Sequence, residues 1–312
     1  MEYRDFGNTG LRVSEIGLGC GPLGYDPQAD YAPLLHRALD LGINFFDTAD
    51  FYGQSRSEEW LGKALGPRRD ELIIATKFGT VVTDDGGIGK EWSVDHMRRA
   101  LEGSLRRLQK DYVDVYQLHS PKPAVLDDED LLAALQELRQ EGKIRFYGIS
   151  LDDGQFGIDA IDRWQVDAIQ IMFNLFHQEP AHRFFPKAEE EGVGVIIKVP
   201  LDSGMLGGDL TPDSKPKYDD PRERWSDELT ARRQGLVKEL HFLTERSGRT
   251  IAQAALQFVL SFDAVSTAIP GTVSIAHLED DAAAAGGRLT EEEMARLQSL
   301  HSGEFSGLNL GW

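Results

Sequence analysis

Eight short apolar runs, spread along the chain and separated by longer amphipathic stretches, constrain the fold more than any other feature. They are VSEIGLG (13–19), NFFDTA (44–49), LIIATKF (72–78), VDVYQLH (113–119), IRFYGIS (144–150), AIQIMF (168–173), GVIIKVP (194–200) and VSTAIPG (265–271). Each is brief, rich in β-branched or aromatic residues and apolar on both faces, as expected of a strand covered on both sides. The stretches between them read as helices, for example SVDHMRRALEGSLRRL (93–108) and DEDLLAALQELRQEG (128–142). Ser93 stands where an N-cap belongs, and Gly142 where a C′ residue does. About eight strand–helix units predict an α/β fold of the (β/α)8 TIM barrel type. A doubly wound sheet would instead open with a glycine-rich phosphate turn leading straight into a helix. GLGCGPLG (17–24) has the glycines, but no helical pattern begins until about Pro33, so it reads as a loop after the first barrel strand.

No linker divides the chain, and residues 1–312 read as a single domain. The one long irregular segment, 202–226, carries Lys215, Lys217, Arg222 and Arg224 among prolines and acids. A loop of that length reads either as functional or as a solvated insertion. The formal net charge is −19, which disfavours nucleic acid and anionic membranes as partners. Cys20 is the only cysteine, so neither an intramolecular disulfide nor a thiolate cluster within one chain is available. The stretch MEYRDFGNTGLR lacks the apolar segment of a secretory signal, and no run approaches the roughly 18 apolar residues of a membrane span. A cytoplasmic location is expected.

In a TIM barrel the chemistry sits at the C-terminal ends of the strands. Asp47 lies at the end of the second run, with Tyr52 just beyond it. Lys77 ends the third, His119 the fourth and Ser150 the fifth, and Lys198 falls late in the seventh. Each has an ordinary structural explanation taken singly. Together they point to one rim. A lysine at a buried edge is costly unless a carboxylate neutralises it, and Asp47 is one strand away. An ammonium held beside a phenol favours the phenolate, so the Tyr52 pKa is expected to fall. Tyr52 would then act as a general acid on a carbonyl oxygen, with His119 orienting that oxygen or sharing the proton.

These segments, in this order, resemble the aldo-keto reductase family across nearly the whole length. NFFDTADFYG, IIATKFG, DYVDVYQLHSP, GKIRFYGIS, IQIMFN, GVGVIIKVPLDSGMLGG and IPGTVSIAHLEDD carry the resemblance. It implies a barrel with a short N-terminal β-hairpin and a catalytic tetrad of Asp47, Tyr52, Lys77 and His119, with Tyr52 as proton donor. It also implies a nicotinamide dinucleotide, NAD or NADP, extended across the barrel mouth, since no natural side chain donates a hydride. By the same resemblance Ser150 and Gln170 meet the nicotinamide carboxamide, with Asn174 in support. Lys198 takes a position that often carries a stacking aromatic ring. Pro200, Leu201, Ser203 and Gly204 track the pyrophosphate, and Gly19, Cys20, Asp47 and Ile269 also belong to the cofactor's surroundings.

Gly271, Thr272 and the start of the following helix could present N–H groups to a phosphate. Many relatives grip the 2′-phosphate of NADP with a cation hereabouts. This chain places Gly271, Val273 and His277 there, followed by Glu279, Asp280 and Asp281, which leans toward NAD or dual use. His119, where steroid double-bond reducers of the family carry an acid, favours carbonyl–alcohol interconversion. The expected partner is a small carbonyl compound or sugar, with Tyr25, Trp92, Phe305 and Trp312 as candidate apolar walls. Oligomeric state is not legible. Two rivals share the barrel: a Schiff-base aldolase using Lys77 or Lys198, and a non-catalytic nicotinamide-binding subunit. A metal-dependent hydrolase is disfavoured by few, dispersed histidines.

Overall fold

A computed structural model describes residues 1–83, 85–208, 226–245 and 248–302. An antiparallel hairpin of β1 (Tyr3–Asp5) and β2 (Arg12–Ser14) precedes the first barrel strand, β3 (Leu18–Gly19). β4 (Phe45–Asp47) and β5 (Ile73–Phe78) follow. A second hairpin, β6 (Thr80–Val82) with β7 (Ile88–Lys90), rises from the end of β5. β8 (Val113–His119), β9 (Ile144–Leu151), β10 (Ala168–Met172), β11 (Gly194–Lys198) and β12 (Val265–Ala268) complete the set. The eight barrel strands pair in parallel in sequence order, and bridges Ile16–Ala268 and Gly19–Gly271 join last to first. That seam is tight: a Cβ on Gly19 would lie 2.7 Å from the Ile269 carbonyl oxygen.

The expected (β/α)8 architecture and N-terminal hairpin are therefore present. One expected strand is divided. Val13 and Ser14 of the 13–19 run belong to β2, and the barrel strand begins only at Leu18. At the break the Glu15 N–H donates to the Glu2 carbonyl beside the hairpin, while the Glu15 carbonyl accepts from the Ala268 N–H of the barrel wall.

Parallel strands need crossovers, and helices supply them. α1 (Ala32–Asp40), α2 (Arg56–Ala64), α3 (Val94–Leu108), α4 (Glu129–Gln140), α5 (Gly154–Trp164) and α6 (Pro180–Glu191) each lead to the next barrel strand. α7 (Asp227–Glu239) and α8 (Ile251–Leu260) lie between β11 and β12, and α9 (Ile275–Ala282) and α10 (Glu291–Ser302) follow β12. The Ser93 hydroxyl accepts from the His96 N–H and caps α3, and Gly142 turns left-handed at φ 72° after α4. Among the described residues no helix is long and apolar enough to cross a membrane.

Inward-facing positions recur every second residue along each strand. Near the strand starts they are apolar: Phe45, Ile73, Ala75, Val115, Ala168 and Ile196 pack with Phe6, Leu11 and Val13 from the hairpin, which plugs the floor. Two residues further along the same faces stand Asp47, Lys77, Gln117, Gln170 and Lys198. The interior thus changes from apolar to polar toward the C-terminal rim, and the register keeps the polar tier level.

Glu15 fastens the floor. It accepts from Arg4 Nε at 2.8 Å, from the Gly286 N–H at 2.7 Å and from Arg288. Arg4 also donates to the carbonyls of Leu260, Phe262 and Val265, around the end of α8. Burial works against the Glu15 charge, but Arg288, Gly286 and Arg4 outweigh it and hold the carboxyl below its ordinary range. A depressed folded-state pKa gives stability that is complete above the unfolded value, about 4.3, and is lost as pH falls through the folded value. Glu15→Gln is expected to cost about 2 kcal/mol at neutral pH. In thermal melts across pH, its gap from the wild type should narrow on acidification below about pH 4.

Candidate active site

The polar tier converges because adjacent strands set it in register. Lys77 lies opposite Gln117, His119 opposite Ser150, and Ser150 opposite Gln170. Lys77 is wholly buried, and its Nζ has three acceptors for its three protons. It donates to Asp47 Oδ1 at 2.5 Å, to the Thr48 carbonyl at 2.8 Å and to the Tyr52 hydroxyl at 3.3 Å. Burial opposes its charge, but Asp47 and Tyr52 outweigh that and keep the ammonium above its ordinary range. The second Asp47 oxygen accepts from Gln170 Nε2 at 2.6 Å and Gln117 Nε2 at 3.3 Å.

Tyr52 comes from the turn after β4. The Asp50 N–H donates to the Lys77 carbonyl at 3.2 Å, and the Tyr52 N–H to that of Ala49 at 3.2 Å, which folds the phenol back over the ammonium. The His119 ring stands edge-on to Tyr52, with centroids 5.5 Å apart. Lys90, on β7, donates to the His119 carbonyl at 2.6 Å and to Thr80 Oγ1 at 2.7 Å, tying the second hairpin to the rim. Burial, followed by the charges of Lys77, Lys90 and Lys198, pushes the His119 imidazole well below its ordinary range. At neutral pH it can donate an N–H but cannot serve as a cationic acid.

The expectation that the Tyr52 pKa falls is corrected, although Lys77 does act to lower it. Burial of the phenol raises it by more than the Lys77 charge lowers it, and Asp47 adds to the rise. The phenol faces an ammonium already paired at 2.5 Å, an ion pair rather than a bare cation.

The other expected site residues divide into two groups. At the rim, Ser150 Oγ donates to Gln170 Oε1 at 3.1 Å and accepts from Lys198 Nζ at 3.3 Å, while Lys198 pairs with Asp152 at 2.8 Å. Gln170 therefore connects Ser150 to Asp47. Asn174 donates to the Val199 carbonyl at 3.1 Å and accepts from the Phe176 and His177 N–H groups. Beyond β11, Val199 (φ 54°), Asp202 (φ 48°) and Ser203 (φ 51°) are left-handed. For a β-branched valine this is strained, and strain of this kind collects at ligand sites. Pro200, Leu201, Ser203 and Gly204 lie in this segment. Ser274 caps α9, and its N–H donates to Thr272 Oγ1 at 3.0 Å next to Gly271. A hydroxyl–amide pair, a strained backbone loop and a capped helix start fit a nicotinamide dinucleotide laid over the rim.

The second group has structural duties. Gly19 forms the barrel seam, and Ile269 belongs to the inner core. Cys20 is buried, its thiol against the Leu18 carbonyl at 3.5 Å and raised by burial. Asp280 accepts from Thr250 Oγ1 and Gln253 Nε2, both at 2.7 Å, at the start of α8. Glu279 pairs with Arg37 at 2.7 Å. Asp281 is buried beside Asp280, and its carboxyl is raised to about 7. The three acids after His277 thus oppose a phosphate less than their spacing suggested. Trp92 packs edge-on against Phe78, with centroids 5.8 Å apart. Lys215, Lys217, Arg222, Arg224, Phe305 and Trp312 lie outside the described residues. Sequence reasoning missed Gln117, whose only signal is its place two residues before His119 on the inward face of β8.

A closed parallel barrel with this rim defines a class of enzyme, and comparison with known proteins makes the class specific. The model of the aldo/keto reductase family matches residues 15–302. The chain is 35% identical over 306 residues to the uncharacterized oxidoreductase YqkF of Bacillus subtilis (strain 168), covering 96% of each. It is 34% identical over 297 residues to L-galactose dehydrogenase of Arabidopsis thaliana, covering 91% of this chain and 88% of that protein. The holo form of aldo-keto reductase AKR11C1 from Bacillus halodurans superposes with a TM-score of 0.80 at 32% identity, covering 96% of both chains. The chain belongs to the aldo-keto reductase family, oxidoreductases that use NAD(H) or NADP(H).

Removing one partner of a buried pair strands the other charge. Asp47→Ala is expected to lower the unfolding free energy by about 3–5 kcal/mol, and Asp47→Ala with Lys77→Met by clearly less. Denaturant titration checks this, and equal losses would mean that the two side chains do not act as a pair.

Proposed function

We propose that the chain interconverts a carbonyl group and an alcohol, with Tyr52 exchanging the proton at the substrate oxygen. One observation carries this reading: a single buried ammonium, Lys77, is bonded at once to Asp47 and to the Tyr52 hydroxyl. The nicotinamide, when bound, supplies or accepts the hydride. In reduction the Tyr52 phenol donates its proton to the carbonyl oxygen, and the phenolate that forms lies against Lys77. The upward shift of Tyr52 favours the protonated form that reduction needs. In the reverse direction the phenolate is the required base, so oxidation gains as pH rises. Neutral His119 donates a hydrogen bond to the same oxygen and orients it. Ser150 and Gln170 hold the nicotinamide carboxamide, and Val199–Gly204 with the start of α9 hold the phosphates.

A hydroxylated carbonyl substrate such as a sugar suits a rim of Ser150, Gln170, Lys198 and Asp152, and one relative is an L-galactose dehydrogenase. For the cofactor we retain NAD or dual use. The support is the lack of a lysine or arginine at positions 271, 273 and 277. A Schiff-base role for Lys77 is disfavoured, since Asp47 and Tyr52 keep the amine charged. A non-catalytic cofactor-binding subunit would bind the dinucleotide without turnover.

Tyr52→Phe is expected to reduce turnover by about 100-fold or more with the Kd for NADH within about threefold of the wild type. Wild-type turnover in this variant would remove Tyr52 from the mechanism. In parallel fluorescence titrations NADH should bind at least as tightly as NADPH. A preference for NADPH of about tenfold, or 1.4 kcal/mol, would contradict the cofactor assignment.

A further inference from the structure

One cavity among the described residues is not lined by the tetrad. It is an open-sided space of about 920 Å³ between the turn after β4, the β6–β7 hairpin and α3. Arg56, Arg99, Arg106, Arg107, His96 and Asp50 line it. Four guanidinium groups in one concavity are notable on a chain of net charge −19. Their counter-charges cancel them only in part. Arg107 pairs with buried Glu58 at 2.7 Å, and Arg99 approaches Glu91 only to 3.7 Å. Arg56 donates to the Gly24 carbonyl and to Gln54, and neither it nor Arg106 has an ion pair among the described residues. Among the described lining residues Asp50 is the one carboxylate, and burial beside Glu58 pushes it up to about 7, which blunts its charge.

We infer that this cavity is a second binding site, for the phosphate group of a small phosphorylated molecule such as a sugar phosphate. Guanidinium forks match phosphate oxygens in pairs. The volume lies within the roughly 300–1,000 Å³ usual for small-molecule sites and exceeds the needs of a lone inorganic ion. Arg99, Gly103, Arg106 and Arg107 share one face of α3, and glycine at 103 leaves the floor open. Asp50 and Phe51 on the wall directly precede Tyr52, and Gln54 and Ser55 beside them are left-handed at φ 57° and 72°. Occupancy therefore bears on the turn that carries the phenol.

The test is calorimetric titration of glucose 6-phosphate into the full chain, the wild type and Arg99→Ala/Arg106→Ala, with glucose and sodium chloride of matched ionic strength as controls. Glucose 6-phosphate should bind the wild type at least about tenfold more tightly than glucose. The double variant should raise Kd by about tenfold or more without shifting the unfolding midpoint. The proposal fails if the wild type shows no binding, if the variant binds equally well, or if sodium chloride reproduces the heat. Binding is read without turnover, so failure here is distinct from failure of the carbonyl–alcohol reading.

Discussion

A charged lysine wholly removed from water is the constraint on which the rim depends. An unpaired ammonium in that position would be expelled or neutralised. It stays because Asp47, the Thr48 carbonyl and Tyr52 accept its three protons. The same requirement fixes everything around it. Asp47 must face inward, so Gln117 and Gln170 hold its other oxygen. Tyr52 must return over the barrel, so the turn after β4 bonds to the end of β5. A fully satisfied ion pair inside a barrel contributes little net stability by itself. What it supplies is position: a phenol whose conjugate base has a cation 3.3 Å away.

The barrel makes that arrangement possible by separating two tasks along its axis. The floor is apolar, plugged by Phe6, Leu11 and Val13 and fastened by Glu15 with Arg4 and Arg288. Burial there holds the strands in register. The upper tier can then carry polar side chains, each bonded to the next strand's. His119 follows the same logic, since burial, aided by three lysines nearby, keeps it neutral and leaves it an N–H to offer.

Much of this was legible in the residue order. Runs rich in β-branched and aromatic residues marked all eight barrel strands, and polar residues at their ends marked Asp47, Lys77, His119 and Ser150. Two kinds of information were not. The first is burial. A sequence shows that a lysine and a tyrosine meet, but not how much water the phenol loses, so the direction of the Tyr52 shift was read wrongly. The second is long-range side-chain pairing. Glu279 reaches Arg37 and Asp280 reaches Thr250, each from another part of the chain, so acids that looked set against a phosphate already have partners. The Glu15 carboxylate was illegible for the same reason: its partners come from the hairpin and from residues 286–288.

The central claim is that Lys77, though paired, still favours the ionised form of Tyr52. It is tested most directly by following the Tyr52 phenol through its titration, by NMR of carbon-labelled tyrosine, in the wild type and in Lys77→Met. The account predicts a higher Tyr52 pKa in the variant, because the cation 3.3 Å from its oxygen is gone. An unchanged or lower value would contradict it.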